Sequence, residues 1–158
     1  MKKLPIDVDD DRLLRAVGEW VDLLADDRYQ DAYDFLYHPW MPVLPKNEIN
    51  ANDIRNIVTN YGWDEPHPNG PFRVTRIETA PPRAEPSESD IQRDGGPRER
   101  AWDSTLVRHG GVPSGASSLG TIHFDLPLNG AWSDLTAIFR IVLYDGAVVL
   151  ALESIDVL

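Results

Sequence analysis

A chain of 158 residues, 42% hydrophobic and 26% charged, is long enough for one domain with a sizeable core and too apolar to be disordered throughout. Its 15 Lys and Arg stand against 26 Asp and Glu, a formal charge of −11 that repels phosphate backbones, argues against nucleic acid as a direct ligand and favours a basic partner, with solubility alone as the plainer reading. The absence of cysteine excludes disulfides, thiolate zinc sites and cysteine nucleophiles.

Residues 1–8 read as a loose arm without the apolar core of a signal peptide, and no run of about 18 apolar residues offers a membrane span, so a cytoplasmic protein is expected. Asp9 or Asp10 can cap a first helix, in which Leu13, Leu14, Val17, Trp20, Val21 and Leu24 fall at helical spacing. Asp26 and Asp27 interrupt it. A second helix follows, with Tyr29, Ala32, Tyr33, Leu36 and Tyr37 on one stripe and His38-Pro39 as its end.

From Pro39 to Pro45 three prolines alternate with Trp40, Met41, Val43 and Leu44, an extended connection and not an interior strand. A third helix begins near Asn50 or Asn52, carries Ile54, Ile57, Val58 and Tyr61, and stops at Gly62. A loop over Trp63–Pro71 leads to a strand predicted over Phe72–Thr79. Residues 80–97 hold four prolines and a single large apolar side chain, Ile91, and are expected to be a mobile loop before another strand at Arg100–Arg108.

The last forty residues carry the clearest signal. Asn129-Gly130 and Asp145-Gly146 are two-residue hairpin turns, since both positions of such a turn need φ > 0. Counting outward from Asp145-Gly146 pairs Leu143 with Val148, Ile141 with Leu150 and Phe139 with Leu152; counting from Asn129-Gly130 sets Leu135 opposite Phe124, Ala137 opposite Ile122 and Asp134 opposite Asp125. One face is therefore apolar. The other is mixed: His123, Asp125, Asp134, Thr136, Arg140 and Glu153 stand among Ile138, Val142 and Val149, with Arg140 diagonal to Glu153 as an ion pair.

Three N-terminal helices followed by about five strands give an α+β domain over 1–158, helices packed on one face of a curved antiparallel sheet. On the helical pair at Asp9–Tyr37, the third helix and the closing hairpin, the chain resembles the nuclear transport factor 2-like superfamily, the SnoaL-like cones. One departure stands out: that superfamily usually places a short strand or hairpin before its third helix, and here only Trp40–Leu44 is available. Trp132–Ala137 with Glu153–Leu158 also looks like the ending of small bacterial proteins, some associated with immunity to polymorphic toxins.

Two functional readings arise. The first is a non-enzymatic acidic domain that binds a protein partner, concretely a basic toxin, with Trp40, Trp63, Trp132, Tyr37 and Arg140 as contact candidates. The alternative comes from the SnoaL-like resemblance, which implies an aspartate and a histidine inside the cone: His123 and Asp125 as an acid/base pair, with Asp134 beside them, in a small-molecule enzyme or carrier. Against it, a sheet that is apolar on one face has a polar face by construction. His38, His67, His109 and His123 show no H-x-x-x-H spacing, so neither a metal nor a cofactor is expected, and His67 and His109 read as solvated loop residues. The resemblance also implies dimerisation through the sheet, with Ile138, Val142 and Val149 at the contact.

Overall fold

The computed structural model of the protein describes residues 1–38, 49–82, 91–98 and 116–158. Among these the order is α1 (Asp10–Ala25), α2 (Tyr29–Phe35), α3 (Ala51–Thr59), a 3-10 turn at Ile77–Thr79, then β1 (Ile91–Arg98), β2 (Ser117–Leu128), β3 (Ala131–Tyr144) and β4 (Ala147–Val157). The strands form an antiparallel sheet in the order β1-β2-β3-β4, in which β2, β3 and β4 are the long members. The architecture is α+β.

Two of the helices start where a short polar side chain can satisfy exposed amides. Asp9 accepts from the Arg12 amide at 2.8 Å, and Asn50 with Asp53 closes a reciprocal capping box on α3. Helix α1 buries Leu13, Ala16, Val17, Trp20, Val21 and Leu24. Helix α2 is shorter than its periodicity predicts: it ends at Phe35, and Leu36 is already extended. The carbonyl of Ala32, left without its fourth-residue partner, instead accepts from Trp20 Nε1 at 3.1 Å. Beyond the helix, the Tyr37 amide donates to the Leu150 carbonyl at 2.8 Å, so the chain leaves α2 along the edge of β4.

The N-terminal arm is not loose. Leu4 and Val148 exchange two backbone hydrogen bonds of 2.8 and 2.9 Å, and the Lys2 amide donates to the Phe35 carbonyl at 2.8 Å. The arm thus occupies backbone groups of an edge strand that would otherwise be open for pairing.

Both hairpin turns have positive φ at both central residues, 51° and 83° at Asn129-Gly130 and 50° and 68° at Asp145-Gly146. Around the second, the pairs Leu143–Val148, Ile141–Leu150 and Phe139–Leu152 form as counted. Around the first, the register departs from the count: Phe124 faces Ala137, Ile122 faces Phe139, and Asp125 faces Thr136, not Asp134. Leu126 alone lies opposite Ser133, Asp134 and Leu135. Ser133 Oγ donates to the Leu126 carbonyl at 2.7 Å and accepts from the Leu135 amide at 3.2 Å, replacing ladder partners beside Pro127, which has no N–H. Because the slip is by two residues, every side chain keeps its face.

The strand expected at Phe72–Thr79 does not form. Val74 makes an isolated bridge to Leu128, the Thr75 amide donates to the Pro127 carbonyl at 2.8 Å, and the chain then turns into the 3-10 segment. Pro127 cannot return a hydrogen bond, which stops a ladder there. Conversely, 91–98, expected within a mobile loop, form β1 against β2. Backbone groups on the β2 edge supply that pairing, so a sequence with little strand propensity is recruited by its surroundings. The strand expected at Arg100–Arg108 lies outside the described residues.

The apolar face meets the helices. Ile122, Phe124, Leu135, Ala137, Phe139, Ile141, Val148 and Leu150 share one core with α1, α2 and α3, and Trp20 meets Phe139 edge-on with centroids 5.0 Å apart.

Candidate functional site

The mixed face is less open than alternation alone implies. Val142 and Val149 are 0% exposed, and with Tyr37, Ala116 and Ala151 they form a second, small apolar cluster, against which Tyr144 packs. Tyr37 and Tyr144 lie with ring centroids 4.7 Å apart. A bulge in β4 adds Glu153 between the pairs Ile138–Ser154 and Phe139–Leu152. Released from the ladder, Glu153 accepts two bonds from the Arg140 guanidinium, at 3.0 and 3.1 Å, with both side chains about a quarter exposed.

The proposed acid/base group does not converge. Asp125 accepts from the buried Thr136 hydroxyl at 2.6 Å, directly across the strand pair. Asp134, carried away by the bulge, accepts a short hydrogen bond from the Tyr61 hydroxyl. That bond, reinforced by burial, holds the Tyr61 pKa above its ordinary value because ionised oxygen beside a carboxylate is disfavoured. His123 is half-buried opposite Ile138, and its side chain makes no hydrogen bond or ion pair with a described residue. Among the described residues no three His, Asp or Glu side chains are grouped to hold a metal.

The aromatic candidates separate in the same way. Tyr37 is buried, and Arg140 is engaged by Glu153. Trp132 donates from its indole to the Pro81 carbonyl at 2.7 Å and rests edge-on against Phe124, so its ring closes the end of the core. Trp40, Trp102 and His109 lie outside the described residues. Trp63 is 53% exposed, the most open aromatic side chain among the described residues.

Trp63 does not stand alone. His67 packs against its edge at 4.5 Å between centroids and also meets Phe72 at 5.2 Å and Tyr61 at 5.8 Å. Two left-handed residues, Tyr61 at φ 55° and Gly62 at φ 74°, end α3 and bring the loop back, and the Gly62 amide donates to the Ile57 carbonyl at 2.8 Å. A side chain at Gly62 would meet Val157 and Leu135 at about van der Waals distance and would be strained in that conformation. His67, read from sequence as solvated, is therefore the centre of this cluster. The signal for it was the set of rings at 61, 63, 67 and 72 around a tight turn, which becomes a cluster only once the turn reverses the chain.

Asp64 and Glu65 follow Trp63 in an exposed stretch, and Asp134 accepts from Tyr61, two residues before Trp63 in the chain. The result is an exposed ring packed edge-on with His67, followed in the chain by two carboxylates. No protein-family model, curated protein or solved structure matches the chain.

Proposed function

We propose that the protein is a non-catalytic, acidic protein-binding domain of the cytoplasm, in its most concrete form an immunity-type protein that covers a basic toxin surface. The observation that carries this reading is Trp63: an exposed tryptophan packed against His67 and followed by Asp64 and Glu65, in a chain of charge −11. Tryptophan is among the residue types that most often anchor an interface, and the surrounding negative field both steers a basic partner and disfavours acidic ones. The enzymatic alternative has less support, because Asp125 and Asp134 are engaged by Thr136 and Tyr61 at separate places.

The same proposal takes the fold as a SnoaL-like cone of the nuclear transport factor 2-like kind. Three helices on the apolar face of a bulged antiparallel sheet support it. Pairing of two copies through the sheet is the weaker form of assembly, since Val142 and Val149 are already buried within one chain. No described helix is long and apolar enough to cross a membrane.

The test is capture of partners from the native host with the full chain as bait, followed by reconstitution with the purified partner. A basic protein bound by the wild type and bound at least about thirtyfold more weakly by Trp63→Ala, the scale of an interface hot spot, is the expected result. Recovery of no basic partner, or equal binding by the variant, would overturn the proposal.

A further inference from the structure

Three segments line a cleft of about 360 Å³ that shares Phe72 with the ring cluster: Asp27 and Tyr29 at the α1–α2 turn, Arg55 and Thr59 on α3, and residues 71–73. Its walls are fixed by main-chain bonds. The Phe72 amide donates to the Thr59 carbonyl at 3.0 Å, the Arg73 amide to Asn129 Oδ1 at 3.1 Å, and the Asn129 amide back to the Arg73 carbonyl at 2.9 Å. On the opposite side the amides of Asp27 and Arg28 close α1 on the carbonyls of Leu24 and Leu23. The site is thus built from backbone that is already in place, which lowers the ordering cost of a ligand.

The described lining of the cleft has a charge opposite to that of the chain. Among the described residues its charged side chains are Arg55, Arg73 and Asp27, a formal sum of +1 within a protein of −11. Arg28, Arg76 and Arg140 each hold a carboxylate. Arg55 and Arg73 form no ion pair with any described residue; Arg55 lies instead over the Tyr29 ring, 4.9 Å from its centroid. Burial foremost, then Asp27, raises the Tyr29 pKa, while Arg55 and Arg73 act to lower it, so all three charges act on one hydroxyl that stays a neutral donor.

We propose that this cleft binds a small organic monocarboxylate with a compact apolar body, the carboxylate received by Arg55 and Arg73 and the body laid against Phe72 and Pro71. The planar guanidinium fork matches a carboxylate in two parallel hydrogen bonds. Asp27 sets the selectivity: a monoanion balances the net charge, whereas a phosphate dianion would exceed it, face the aspartate and leave the apolar wall unused. The volume falls within the range of small-molecule pockets, about 300–1,000 Å³.

Titration of the isotope-labelled full chain with phenylacetate and with hexanoate, monitored at the amides of Thr59, Phe72 and Arg73, tests the assignment against inorganic phosphate and 2-phenylethanol. Saturable shifts with at least one carboxylate, clearly weaker responses to phosphate and to the alcohol, and about tenfold weaker binding by each of Arg55→Gln and Arg73→Gln are expected. Asp27→Asn should tighten phosphate. Both arginines are exposed, so an unchanged melting temperature in the variants shows that loss of binding is not loss of fold. No saturation with either carboxylate, phosphate binding as tightly as they do, or full binding by both arginine variants would each overturn the proposal.

Discussion

Along β3, Phe139 and Ile141 point to the helices, while Ile138, Arg140 and Val142, which alternate with them, point to the other side of the sheet. The first set joins a core closed by Trp20 and the three helices. The second set meets a mixture: a bidentate ion pair at Arg140, a half-buried Ile138, and a valine buried as completely as Phe139. Period-two alternation describes both sets equally well. What separates them is which neighbours the fold brings over each face, so a polar pattern alone does not make a surface.

The largest effect expected on either face comes from Phe139→Ala, which removes the ring that Trp20 meets edge-on and should cost about 3–5 kcal/mol in denaturant unfolding. Val142→Ala sharpens the comparison: burial predicts a loss of roughly 1–3 kcal/mol, whereas an open mixed face would hold the change within about 0.5 kcal/mol. Thr136→Val keeps the shape but removes the donor to Asp125, and about 1–2 kcal/mol should be lost in denaturant unfolding. A double-mutant cycle on Arg140 and Glu153 should give a coupling near the upper end of the usual range, about 0.2–1 kcal/mol for ion pairs, because the pair is bidentate and about three-quarters covered.

The smallest expected effect is on the alkaline side. Tyr61 and Tyr29 both hold their protons more tightly in the folded chain, Tyr61 first through the Asp134 hydrogen bond and Tyr29 first through burial. Their contribution is complete below the ordinary tyrosine value of about 10 and is lost as pH rises through the raised folded-state values. Stability measured across that window should fall, and Tyr61→Phe should flatten the fall. An unchanged slope in that variant would show that the Tyr61–Asp134 bond does not persist in solution.

The two hairpins show how much was legible. Asp145-Gly146 set three cross-strand pairs that the structure reproduces, because nothing interrupts the ladder for its first several residues. Asn129-Gly130 has the same turn chemistry, yet its pairs slip by two, because Ser133 supplies hydrogen bonds beside a proline that cannot. Apolar faces survive such a slip, and partners do not: Asp134, expected opposite Asp125, is bonded to Tyr61. The ring cluster around His67 was illegible for a related reason, since it depends on two successive left-handed residues that reverse the chain after α3.

By itself, then, the order of residues determined the features that depend on neighbours close in the chain: three amphipathic helices, two tight turns, the face each strand residue shows, and a strong negative charge. The tertiary structure alone decided those that depend on residues far apart: that β1 forms on an edge of β2, that the arm and Tyr37 run along β4, that two valines of a polar face are buried, and that Arg55 and Arg73 line one cleft. The physical reason is that periodicity and turn geometry act over a few residues, whereas backbone pairing, burial and charge proximity are set by the groups that the folded chain places beside them.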